Sequence, residues 1–296
     1  MNCILICKPT ESSMKKKVKV RPIEEEYIRF LIFQMLNKDS VKKVAVILRR
    51  FDWATHENLI FKVIYKFLSK SNEMQIKNAA ALLSLLKPFR QSIVVNLLNI
   101  FLEELRISME RNDFYDNQHK ILICMILSHF YREKLFNSDI IFYVLYMILT
   151  YNPEWNMGRR ELLADNPLDD VSDTVRIQMV VNILEICGSI LNMGTKKDRL
   201  IEFMHFLQIY VLSKLYLPLD VENRVVNCIE NLFGDKSLHI YNDFTEALKD
   251  SKKFKGFNYE NDEESKEDNA TESKKEKNND NDVNEFDRNK FKSKLK

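Results

Sequence analysis

The side chains with the most to offer a partner lie between residues 99 and 110. Asn99, Glu103, Arg106 and Glu110 recur at i, i+4, i+7 and i+11. A period of 3.6 residues puts them within about 60° of one another on a helix. Glu104 adds a further carboxylate beside them. Such a row can do one of two things. Arg106 can pair with Glu103 or Glu110 along the helix, a local contact of a few tenths of a kcal/mol. Alternatively, the carboxylates form a rigid acidic stripe that steers and orients a basic partner. A second charged feature is the basic run Lys15, Lys16, Lys17, Lys19 and Arg21, joined by Lys42, Lys43, Arg49 and Arg50. It is either a solvated face or a set of phosphate contacts for RNA.

Covalent or metal chemistry finds little support. The five histidines, His56, His119, His129, His205 and His239, form no HExxH pattern. His129 and His205 fall in apolar segments and read as core or boundary residues. Of the five cysteines, Cys3 and Cys7 lack partners at metal-ligand spacing, while Cys124, Cys187 and Cys228 sit within apolar helical patterns as buried thiols. With 5 Gly in the chain, a phosphate-cradling loop has no material to form from. Asp169-Asp170 reads as a cap or a solvated turn. The expectation is a non-enzymatic protein with no cofactor, no metal and no small-molecule substrate.

The elements that must position the stripe are helices. The chain has 296 residues, 45% of them apolar, but only 5 Gly and 6 Pro. That scarcity of turn residues argues against an all-β fold. Helical periodicity recurs over 23–37, 40–51, 55–70, 74–88, 91–112, 117–134, 138–151, 171–193, 196–215, 219–233 and 237–250. Pro22 opens the first segment with Glu24, Glu25 and Glu26 behind it, and Asn72 and Ser138-Asp139 mark later starts. Asp173-Thr174 fall in the first turn of the eighth segment. Pro153, Gly194 and Gly234 mark stops. The fifth segment has an apolar stripe of Val94, Leu97, Leu98, Phe101, Leu102, Leu105 and Met109. The eighth has one of Ile177, Val180, Val181, Leu184, Cys187, Gly188 and Leu191.

Short connections make successive helices antiparallel neighbours, and repeated pairs without a strict consensus describe a HEAT-like solenoid. The long connection from Asn152 to Asp170 is expected to be mobile or a docking element. Residues 1–21 read as a basic irregular lead-in, 22–250 as the helical-repeat domain, and 251–296 as a disordered tail. That tail carries 12 Lys/Arg against 12 Asp/Glu with few aliphatics. The net charge of +2 gives no global field for nucleic acid or membrane. The longest apolar run, the ten residues Ile140 to Leu149, is too short to span a bilayer. A soluble, intracellular protein is expected.

Four stretches in order carry a resemblance. They are Arg21-Pro22-Ile23-Glu24-Glu25-Glu26-Tyr27-Ile28-Arg29-Phe30-Leu31, Phe51-Asp52-Trp53, Leu102 to Glu110 (LEELRISME), and Val175 to Gly188 (VRIQMVVNILEICG). Over residues 20–235 the chain resembles the third MIF4G domain of the nonsense-mediated mRNA decay adaptors. The resemblance implies an all-α, right-handed solenoid of about five antiparallel helix pairs without catalytic activity. It implies binding to the RNA-recognition-motif domain of the third up-frameshift factor, at positions matching Glu103, Glu104, Arg106 and Glu110. Asn99 departs from the pattern, which favours an acid there. RNA, the pathway's helicase and its kinase are further implied partners, and the implied location is cytoplasmic and perinuclear. The charged tail does not match the family's helicase-binding segment. The rival reading is a translation-initiation or splicing scaffold of the same superfamily that binds and stimulates a DEAD-box helicase.

Overall fold

The computed structural model describes residues 21–111, 113–151, 161–162, 168–170, 172–234, 238–241, 244–251 and 258–259. Lys15, Lys16, Lys17 and Lys19 lie outside these residues, as do Pro153 and nearly all of the expected tail. Eleven α-helices stand among the described residues, one for each periodic segment. The chain divides into two compact units, up to Ile93 and from Val94 onward.

The first unit contains α1 (Ile23–Phe33), α2 (Val41–Arg49), α3 (Trp53–Leu68) and α4 (Glu73–Leu86). Helices two apart in sequence pack together, α1 on α3 and α2 on α4, as stacked helical hairpins do. Their buried faces follow the periodicity: Ile28, Leu31 and Ile32 in α1, and Val41, Val44, Ala45 and Leu48 in α2. α3 starts two residues earlier than the apolar rhythm predicts because Asp52 caps it, accepting a hydrogen bond from the Ala54 N–H at 3.1 Å. Asn72 and Gln75 cap α4 reciprocally, each side chain accepting from the other's backbone N–H at 3.0 and 3.1 Å.

His56 on α3 reaches Glu24 on α1, with Nε2 2.7 Å from Oε2. Its Nδ1 faces the Asp52 carbonyl at 3.1 Å. The Glu24 hydrogen bond raises the imidazole pKa above its usual 6.5, and the Asp52 carbonyl adds to the rise. A raised folded-state pKa means that the latch contributes its full stability below pH 6.5 and loses it as pH climbs through the raised value. Urea midpoints of the wild type should therefore fall on that climb, and Glu24→Gln should flatten the dependence.

α5 (Gln91–Arg111), the longest helix among the described residues, belongs to the second unit from Val94 on. It is followed by a 3-10 turn (Phe114–Asp116), α6 (Asn117–Arg132), α7 (Ser138–Thr150), α8 (Val175–Leu191), a second 3-10 turn (Gly194–Lys196), α9 (Lys197–Ser213), α10 (Leu219–Phe233) and α11 (Phe244–Ser251). α8 is the hub: it packs against α6, α7, α9 and α10. The single stripe expected for it is buried, but Arg176, Met179 and Ile183 on its other sides are buried too. A helix with neighbours on most sides keeps only a narrow polar face, here Gln178, Asn182, Glu185 and Ser189. Cys124, Cys187 and Cys228 are buried as expected, and desolvation pushes the thiols of Cys187 and Cys228 up to about 12.

Several boundaries move for identifiable reasons. α8 begins at Val175, not 171, because Asp173 and Thr174 precede it and the Asp173 carboxylate accepts from the Val175 N–H at 2.9 Å. Gly194 (φ 61°) opens the second 3-10 turn, and α8 has already stopped at Leu191. Gly234 (φ 65°) does end α10. α11 starts at Phe244, well after 237, and ahead of it Gln208 pins the backbone of His239 and Tyr241. It donates to the His239 carbonyl at 3.1 Å and accepts from the Tyr241 N–H at 3.0 Å. A two-residue parallel pairing, Glu161 opposite Asn258 and Leu162 opposite Tyr259, brings part of the expected tail against the long connection.

Gly188 sits where α8 meets α10. A Cβ there would lie 2.7 Å from Leu232 Cδ2. Leu232 is only half-buried and its tip can turn away, while alanine gains roughly 1 kcal/mol of helix propensity over glycine. Gly188→Ala should thus stay within about 1 kcal/mol of wild type, whereas Gly188→Leu should lose about 1–3 kcal/mol by prising the helices apart. Denaturant melts of both variants check the difference.

Candidate protein-interaction surface

The buried face of α5 anchors the stripe. Val94, Leu97, Leu98, Phe101, Leu105 and Met109 are buried, and Leu102 is half-buried. Phe101 meets Phe130 of α6 edge-on, with ring centroids 6.2 Å apart. With that face fixed, the opposite one must point outward: Asn99, Glu103 and Glu110 are exposed and Arg106 is half-buried.

Arg106 spans both neighbouring acids. Its Nη2 donates to Glu103 Oε1 at 2.7 Å and its Nε to Glu103 Oε2 at 3.1 Å, while Nη1 donates to Glu110 Oε2 at 3.1 Å. The fork geometry of guanidinium suits this double engagement. Hydrogen bonding from Arg106 holds the Glu103 carboxyl below its usual range. Glu103 in turn raises the Arg106 pKa, and a hydrogen bond with the Tyr151 side chain adds to it. Glu103 and Arg106 therefore stay ionised around neutrality. Both pairs are solvent-exposed, so they contribute little to stability. What they do is hold two carboxylates at a set spacing on a rigid helix.

Glu104 turns off the stripe. It is half-buried, and its Oε2 lies 3.6 Å from Nε2 of His119 on α6. The structure thus gathers Asn99, Glu103, Arg106 and Glu110 on one face and sets Glu104 on its α6 flank. The other flank belongs to α7. Tyr143 is 39% exposed there, and its phenol pKa is raised by burial, with Arg106 and Glu103 acting on it electrostatically. Sequence reasoning missed Tyr143, since the run Ile140 to Leu149 is apolar throughout and carries no sign of which side faces outward, and it missed Tyr151, which lies just past that run. Of the second basic feature, Lys42, Lys43 and Arg50 are exposed. Arg49 is engaged, donating to the Leu85 carbonyl at 2.5 Å and stacking 3.9 Å from the centroid of Phe89.

Asp169 overturns its expected role as a cap or solvated turn residue. Its side chain is 9% exposed and accepts from the Tyr210 hydroxyl at 2.8 Å and from Lys214 Nζ at 2.6 Å, with Arg176 Nε at 3.5 Å. Arg176 also donates to the carbonyls of Ile148, Leu149 and Tyr151 at 3.3, 3.4 and 3.3 Å. Those carbonyls are the orphan acceptors at the end of α7, the negative pole of that helix. The described end of the long connection is therefore fastened to α7, α8 and α9. Asp170 does form a turn, accepting from the Ser172 hydroxyl at 2.9 Å.

Among the described residues, no group of three or more His, Cys, Asp or Glu side chains is placed to hold a metal ion. No helix among them is long and apolar enough to cross a membrane.

Residues 26–232 match the model of the MIF4G domain. The chain is 34% identical over 231 residues to the regulator of nonsense transcripts UPF2 of Arabidopsis thaliana, covering 78% of this chain and 19% of the relative. It is 28% identical over 238 residues to the human regulator of nonsense transcripts 2, covering 76% and 18%. The nonsense-mediated mRNA decay protein 2 of Saccharomyces cerevisiae is 26% identical over 238 residues, covering 78% and 21%. The chain spans about a fifth of the length of these curated relatives. It belongs to the MIF4G family, and its all-α fold is of that family's HEAT-like solenoid class.

Proposed function

We propose that this chain is a non-enzymatic scaffold domain of nonsense-mediated mRNA decay, equivalent to the third MIF4G domain of the decay adaptors. Asn99, Glu103, Arg106 and Glu110, with Glu104 on the flank, receive the basic face of the RNA-recognition-motif domain of the third up-frameshift factor. The observation that carries this reading is the double clamp of Arg106, which presents Glu103 and Glu110 at a defined spacing on an outward face. The relatives named for nonsense transcript regulation and decay support the pathway. Asn99 supplies a neutral hydrogen-bonding group at a position where an acid would add charge. RNA, through Lys15, Lys16, Lys17 and Lys19, and the decay helicase and its kinase are the further partners of this reading, and the cytoplasm, around the nucleus, is its location.

The test is calorimetric titration of the whole chain with that RNA-recognition-motif domain. Submicromolar binding that disappears with Glu103→Lys, at unchanged circular dichroism, is expected. A folded chain that ignores the domain, yet raises the ATPase rate of a DEAD-box helicase, would sink the reading in favour of a translation or splicing scaffold.

A further inference from the structure

Two aromatic side chains stand in water directly after the acidic helix. Phe114 is 83% exposed and Tyr115 is 95% exposed, both on the 3-10 turn between α5 and α6. Their rings meet edge-on at 6.3 Å and 76°, and otherwise face solvent. Exposed rings of this size are costly to leave in water, and aromatic residues dominate the energetics of protein interfaces. The surroundings give the partner's sign. Glu110 and Asp113 are exposed and Asp116 is half-buried, so three carboxylates bracket the rings in sequence against one exposed cation between them, Arg111. The carboxyl end of α5 adds the negative pole of a 21-residue helix. Phe114 is four residues beyond Glu110, at most about 14 Å away along the chain. The rings and the stripe therefore lie within the footprint of one ordinary interface.

We propose that Phe114 and Tyr115 are the aromatic anchor of the docking surface, taking an arginine or lysine side chain of a basic polypeptide across their ring faces while Glu110 and Asp113 meet its charge. This rests on the reading of the acidic stripe and extends that surface past the end of α5. A cation over an aromatic face gains from the ring quadrupole, more so once water is excluded. Nucleic-acid bases stack on such rings as well, but phosphates next to Glu110, Asp113 and Asp116 would be repelled.

Titration of the whole chain with two probes tests this: a hexa-arginine peptide and the RNA-recognition-motif domain. The double substitution Phe114→Ala/Tyr115→Ala removes rings that pack mainly on each other, so circular dichroism should not change. Affinity for both probes should fall about tenfold. No binding of the peptide, or peptide binding untouched by the substitution, overturns the anchor. Domain binding that needs Glu103 but not the rings overturns it too, and leaves the stripe standing. Peptide binding that needs the rings, with no binding of the domain, upholds the anchor and removes the named partner. Loss of affinity for a uridine 20-mer with the peptide unaffected would replace the anchor by a base-stacking platform.

Discussion

Replacing Asp169 with alanine should lower the stability of the chain by about 3–5 kcal/mol, the usual consequence of deleting one member of a buried ion pair. The carboxylate satisfies Lys214 Nζ and the Tyr210 hydroxyl and faces Arg176 Nε. The side chains of Arg176 and Lys214 are each only 3% exposed. Removing the acid leaves two cations out of water with no carboxylate between them. Asp170→Ala is the control. It removes exposed contacts with the Ser172 hydroxyl and N–H, and should cost about 1 kcal/mol. Urea unfolding of the two variants, followed by far-ultraviolet circular dichroism, separates them. Equal midpoints would mean that water reaches the cluster and screens it.

The second large effect is on association. Reversing both Glu103 and Glu110 to lysine should weaken binding of the basic partner by a hundredfold or more, on the order of 1.4 kcal/mol for each tenfold step. Each reversal replaces an attraction by a repulsion, and the two together take both carboxylate acceptors from Arg106. The fold should be unaffected, because both acids lie on the exposed face of α5 and Phe101 and its neighbours hold the other. Most of the loss should appear in the dissociation rate where the carboxylates are covered by partner, and in a salt-dependent association rate where they stay at the rim. A reversed chain that binds normally would leave the stripe as a solvated surface.

The stripe was legible in the sequence because a helix repeats: once Val94, Leu97, Phe101 and Leu105 define the inside, Glu103 and Glu110 have nowhere to point but out. The same logic placed the eleven helices. It failed where tertiary partners decide. Asp169 looks like any loop acid, and only the fold brings in Lys214 from 45 residues away. Arg176 reads as a surface residue at a helix start, yet it is spent on the carbonyls of α7. Lys120 likewise has no local mark, but it is buried, with its Nζ donating to Asn117 Oδ1 at 3.2 Å, and burial lowers its pKa. The exposed pair Phe114-Tyr115 escaped for the opposite reason, since aromatic residues suggest core by default. The helix starts that slipped lie beside a capping side chain, as at Asp52, or behind a backbone pinned by a distant glutamine, as by Gln208.

In the proposed reading, the clamp on Arg106 also sets which cations the stripe takes. A free acidic row would attract any polycation that drifts past, and a cell is full of them. Here the two carboxylates already have a tenant, and a single lysine offers no better geometry than the guanidinium it would displace. Only a visitor bringing several donors at matching positions can add contacts to those that Arg106 keeps. Under the proposed reading the helix carries its own decoy, and lone ammonium groups, which bring one donor centre each, should gain less from it than a polypeptide presenting several guanidinium groups at once.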